Sequence, residues 1–71
     1  MNITDGKIIA NNIRAERNRV KLTQEEVAKH LNVSTKTYIS YEDDAKSITA
    51  TTLLKLSRLF NCNISAFYMQ I

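Results

Sequence analysis

LTQEEVAKHLNVSTKTYISYE, residues 22–42, holds two helix starts eleven residues apart, at Thr23 and Ser34. Thr23 stands three residues before Glu26, the S/T-x-x-E spacing in which side chain and backbone cap one another. Behind it Val27, Ala28 and Leu31 recur at helical spacing, which gives the segment one apolar face. Asn32 interrupts the pattern, and it tolerates the left-handed conformation required at a sharp helix stop. Ser34 opens a second segment that carries Tyr38 and Tyr41. Two short helices joined by a turn of three or four residues make a helix-turn-helix, here over about 23–43. The second helix begins with Thr35, Lys36 and Thr37, small polar and basic side chains at the end that meets base edges in such motifs.

Outward from this stretch, the spacing predicts a first helix from about Gly6 to Arg19, with Asp5 as its N-cap and Ile9, Ala10 and Ile13 facing inward. Val20 to Leu22 connects it to a second helix, about Gln24 to Leu31, and the third covers about Thr35 to Asp43. Asp44 is expected to stop the third helix as Asn32 stops the second. After the polar loop Ala45 to Ala50, Ser47 or Thr49 caps a fourth helix that runs to about Phe60, with Leu53, Leu56, Leu59 and Phe60 on its apolar face. Asn61 to Asn63 is a turn, and Ser65 caps a last short helix. The expected fold is all-α: one domain over residues 1–71, a bundle of five short helices.

Composition agrees. A chain of 71 residues buries only about 60% of its extended surface, so it supports one small core. Proline is absent and glycine occurs once, which favours helices over β-turns. No apolar run is long enough to cross a membrane, and Met1 to Gly6 has no signal-peptide pattern. The single Cys62 has no internal disulfide partner, as expected of a protein kept in the reducing cytoplasm, and reads as an inert, half-buried thiol. His30 falls on the polar side of its helix beside Lys29 and reads as solvated. One His, one Cys and unclustered carboxylates make no catalytic constellation and no metal set, so an enzyme is not expected, nor a cofactor or small-molecule ligand. Net charge is +3, modestly basic; Lys7, Arg14, Arg17, Arg19 and Lys21 cluster early, whereas Glu42, Asp43 and Asp44 form an acidic spot.

Ile13, Arg17, the run Leu22-Thr23-Gln24-Glu25-Glu26, Ala28, Leu31, Val33-Ser34, Glu42 and LLKLSRLF from Leu53 to Phe60 together resemble the Cro/CI-type (XRE-like) helix-turn-helix proteins, a group that includes lambdoid phage repressors. The correspondence is ungapped from about Ile9 to Phe67. It implies a lambda-repressor-like DNA-binding domain and a regulator of transcription, most simply a repressor of phage or bacterial promoters. The resemblance places Thr35, Lys36, Ile39 and Ser40 against bases, and Thr23, Gln24, Thr37, Lys46, Ser47 and Thr49 against phosphates. Lys36 suits guanine O6 or N7, and the Thr35 methyl suits a thymine methyl. Ile39, where the family commonly has a polar residue, is expected either exposed against thymine methyls or sugar, or turned inward by a register shift. Arg17 and Glu42 match an ion pair of some members, and Ala28 stands where the second and third helices approach closest.

The chain departs from the pattern. Lys21, Asn32 and Asp44 replace glycines after the first three helices, and Ile48 replaces a proline before the fourth. Tyr38 stands where Ile or Val is usual; its ring is expected in the core with its hydroxyl reaching the surface. Asp43 and Asp44 bring negative charge near DNA and should weaken non-specific affinity. At the C-terminus Ile64 and Phe67 are expected to close the core, leaving Tyr68, Met69 and Ile71 as a homodimer patch. Two other readings stay open: a protein-interaction module such as an antitoxin-like helix-turn-helix, and the DNA-binding fragment of a longer repressor.

Overall fold

Every helix begins at a side chain that takes up an otherwise free backbone N–H. Thr4, Thr23, Ser34, Thr49 and Asn63 are all extended, and each accepts from an amide two or three residues ahead at 3.0–3.3 Å. The computed structural model describes residues 4–69. They form α1 (Asp5–Arg19), α2 (Gln24–Leu31), α3 (Thr35–Asp43), α4 (Ala50–Leu59) and a 3-10 helix (Ile64–Tyr68). The all-α expectation holds, with four α-helices and a 3-10 helix in place of five helices, and no strand among the described residues. Two caps differ from expectation. Thr4 rather than Asp5 caps α1, which leaves the Asp5 carboxylate in the first turn where the helix dipole favours it. Asn63 rather than Ser65 starts the last helix, because the longer Asn63 side chain reaches the Ser65 amide.

Three helices stop the same way. Lys21, Asn32 and Asn61 follow α1, α2 and α4 with φ of 61°, 58° and 53°. The amide one residue later folds back to a carbonyl five residues earlier: Leu22 to Arg17, Val33 to Ala28 and Cys62 to Ser57, at 2.9–3.3 Å. This is the Schellman arrangement, and the returning residues Leu22, Val33 and Cys62 pack against the core, as its hydrophobic contact requires. α3 ends differently. Asp44 is extended (φ −161°, ψ 115°) instead of left-handed, because the chain leaves α3 directly toward α1. There the Ala45 amide donates to the Gly6 carbonyl at 3.0 Å, and Asp44 Oδ1 accepts from the Lys46 amide at 3.1 Å.

That contact explains the sole glycine. Gly6 is buried inside α1, and a Cβ there would lie 2.0 Å from Asp44 Oδ1 and 2.9 Å from the Lys46 amide nitrogen. The core gathers Ala10 and Ile13 from α1, Val27, Ala28 and Leu31 from α2, Tyr38 from α3, Leu53 and Leu56 from α4, Phe60 just after it, and Phe67. Phe60 and Phe67 meet edge to face with centroids 6.3 Å apart, closing the last helix onto α4. Asn12 Nδ2 donates to the carbonyls of Phe67 and Met69 and ties that segment to α1. No helix among the described residues is long and apolar enough to cross a membrane.

Candidate nucleic-acid interface

α3 has one buried edge and one free face. Tyr38 and Glu42 are buried, one turn apart, with Thr35 and Tyr41 half-buried beside them. Lys36, Thr37, Ile39, Ser40 and Asp43 are exposed. The free face therefore holds Lys36, Ile39 and Ser40 together at the N-terminal half, where helical spacing brings residues three and four apart side by side. Ile39 is exposed rather than turned inward, so α3 keeps the expected register.

Four side chains fix the angle at which α3 is held. Arg17 of α1 grips Glu42 with two hydrogen bonds, Nε to Oε2 at 2.6 Å and Nη2 to Oε1 at 3.0 Å. Its remaining Nη1 donates to the Leu22 carbonyl at 2.9 Å, so the guanidinium also fastens the turn before α2. Gln24 Nε2 donates to Glu42 Oε1 at 3.1 Å, and the Tyr38 hydroxyl donates to Oε2. The pair is nearly dry, with 12% of the Arg17 and 3% of the Glu42 side chain exposed. Burial alone would raise the Glu42 pKa; hydrogen bonds from Arg17, Tyr38 and Gln24 outweigh it and hold the carboxyl below its ordinary value. The hydrogen bond to Glu42 raises Arg17, and burial, reinforced by Glu42, raises the Tyr38 hydroxyl.

Tyr38 is a correction. Its ring is in the core as expected, but its hydroxyl turns inward to Glu42 instead of reaching the surface. A buried phenol must find an acceptor, and Glu42 lies four residues on along the same helix edge. That spacing was readable in the sequence; the Gln24 contact, which crosses from α2, was not. Lys7 Nζ adds a further tie, donating to the Asp43 carbonyl at 2.8 Å where the last carbonyls of α3 carry negative potential.

The residues expected at phosphates fall at the α2 start, on α3 and in the loop before α4. At the α2 start, the Thr23 hydroxyl accepts from Glu26 N and the Thr23 amide donates to Glu26 Oε1 at 2.9 Å, completing the capping box. The Thr23 amide, and after it the Thr23 side chain, hold the Glu26 carboxyl below its usual value. Gln24 spends one amide N–H on Glu42 and keeps the other. On α3, Thr37 accepts from Ser34 at 2.9 Å, which leaves its own proton for donation. The Ser40 hydroxyl is committed, donating to the Thr37 carbonyl at 2.5 Å. In the loop before α4 Lys46 and Ser47 are exposed, and Thr49 is occupied as the α4 cap and in a hydroxyl pair with Thr52. Of the patch expected at the C-terminus, Tyr68 and Met69 are 51% and 62% exposed, and Ile71 lies outside the described residues. Cys62 is half-buried, and burial raises its thiol pKa, which makes it less reactive.

The helix-turn-helix family profile matches residues 13–67, which contain all of α2, α3 and α4. Among solved structures, hydroxypropylphosphonic acid epoxidase from S. wedmorenis in complex with fosfomycin superposes with a TM-score of 0.85 at 20% identity, over 94% of this chain and 36% of that one. The cobalt(II) form of HppE in complex with substrate gives 0.85 at 21% identity, over 93% of this chain and 37% of that one. This chain thus spans about a third of the length of those proteins, and the likeness shows a shared fold for that portion. No curated protein matches. With the profile covering most of the sequence and the motif folded as a capped α2–turn–α3 unit, the chain belongs to the Cro/CI-type (XRE-like) helix-turn-helix family of DNA-binding regulators.

Proposed function

We propose that the protein is a sequence-specific repressor that lays the exposed face of α3 in the major groove and acts by occupying a promoter, with no chemistry of its own. The observation that carries this is the Arg17–Glu42–Gln24–Tyr38 cluster, which locks α3 to α1 and α2 while leaving Lys36, Ile39 and Ser40 exposed. A recognition helix held at a fixed angle loses little freedom on binding, so more of its contact energy appears as affinity. In this reading Thr35, Lys36, Ile39 and Ser40 face bases. Thr23, Gln24, Thr37, Lys46, Ser47 and Thr49 face phosphates. Gln24 is suited to it, since it serves Glu42 with one amide N–H and keeps the other to offer outward.

The protein works as a homodimer through the apolar surface of Tyr68 and Met69, placing two α3 helices in successive grooves about 34 Å apart on a palindromic site. Selection from a random duplex library tests the reading, followed by affinity measured against salt. A palindromic consensus is expected, with log K falling by roughly 0.9 per neutralised phosphate for each tenfold rise in salt. Sedimentation of a strict monomer, with and without that duplex, would reject the dimer. A salt-insensitive protein that enriches no duplex would favour the protein-interaction reading instead.

A further inference from the structure

We infer that α3 reads a pyrimidine by its 5-methyl group, so that 5-methylcytosine is recognised as thymine is at one base pair of each half-site. The inference rests on the α3-in-groove reading above. Among the large apolar side chains of α3, Ile39 alone is exposed, at 37%, in the middle of the face offered to DNA. It has no hydrogen-bonding group, so it cannot sense whether O4 or N4 stands at the base edge; it can only bury against a methyl. The nearest chain neighbour with a polar group, Ser40, donates its hydroxyl proton to the Thr37 carbonyl and has none to offer thymine O4. α3 contains no Asn, Gln or Arg; its one guanine reader, Lys36, carries a long side chain that reaches a neighbouring base pair and leaves the methyl contact to Ile39. Thr35 lies four residues before Ile39 and adds a second methyl to the same patch.

The test uses the full chain and its selected duplex. Each thymine is replaced singly by uracil, and at the sensitive position cytosine is compared with 5-methylcytosine, both opposite guanine. Burial of one methyl is worth about fourfold in affinity. The expected result is a loss of about fourfold for uracil against thymine at one position per half-site, and a matching gain for 5-methylcytosine over cytosine there. Both ratios should fall to near one in Ile39→Ala and persist in Ile39→Val, with circular dichroism confirming that both variants are folded. Retained binding with no methyl effect at any position, or a methyl effect unchanged in Ile39→Ala, overturns this inference alone. Failure to enrich any duplex overturns it together with the reading on which it rests.

Discussion

Replacing Arg17 with methionine should cost the domain a large share of its stability, because it strands the Glu42 carboxylate in a nearly dry site. Glu42 would lose two short charge-assisted hydrogen bonds, at 2.6 and 3.0 Å, and keep only Tyr38 and Gln24 as donors. Removing one member of a buried pair typically costs ~3–5 kcal/mol. A domain of 71 residues has roughly 4–11 kcal/mol in total. With a urea dependence near 1 kcal/mol per molar, the unfolding midpoint should drop by about 3 M or more. The pH dependence is more discriminating. In the wild type the Glu42 pKa lies below its unfolded value, so its stabilising contribution is complete above that value and disappears as pH falls through the folded one. In Arg17→Met, burial acts without the guanidinium to oppose it, and the folded pKa moves above the unfolded one. The variant therefore loses stability as pH rises from the unfolded value through the raised folded one, so its deficit against the wild type widens with pH. Adding Glu42→Gln should recover most of the loss, since a neutral amide costs far less to bury. Urea unfolding followed by circular dichroism reads all three quantities. A deficit under about 1 kcal/mol that does not change with pH is the behaviour of a solvated surface pair, and would refute the reasoning.

Gly6→Ala should lower stability by about 1–3 kcal/mol despite the better helix propensity of alanine, because the new Cβ meets the Lys46 backbone at 2.9 Å; an unchanged or higher melting temperature would contradict the fit. Lys21→Gly should raise stability by about 0.5–1 kcal/mol in thermal unfolding, since Lys21 has φ 61° where glycine has no steric penalty. In DNA binding, Lys36→Ala should cost about 1–3 kcal/mol and relax preference at a single base pair. Lys46→Ala should instead weaken all duplexes alike and reduce the salt slope by about one, and competition titrations separate the two patterns.

The helix-turn-helix was legible because its signals are local. Thr23 with Glu26, the stripe Val27, Ala28 and Leu31, and the stop at Asn32 each depend on residues within one or two turns, and α2 and α3 have the expected bounds. What the sequence hid involves contacts between distant segments. Asp44 looked like a left-handed stop, but the Gly6–Ala45 contact, 39 positions apart in the chain, draws it into an extended conformation. The four-residue spacing of Tyr38 and Glu42 was legible, but that Arg17 from α1 and Gln24 from α2 fix the Glu42 carboxylate as its acceptor was not. Choices between equivalent caps were also undetermined: Thr4 beside Asp5, and Asn63 beside Ser65, differ only in which side chain reaches the free amide. In the candidate site the exposed side chains of α3 follow from its periodicity, whereas the internal commitment of Ser40 and the sharing of Gln24 with Glu42 required the structure.

Amide shift mapping of the isotope-labelled protein with its selected duplex most directly tests whether this face meets DNA. Perturbations are expected at Thr23 and Gln24, from Ser34 to Ser40, and around Lys46 and Ser47, with smaller ones near Tyr68 and Met69 at the proposed contact between copies. Shifts confined to the C-terminal helix, with α3 silent at saturating duplex, would contradict that DNA contact.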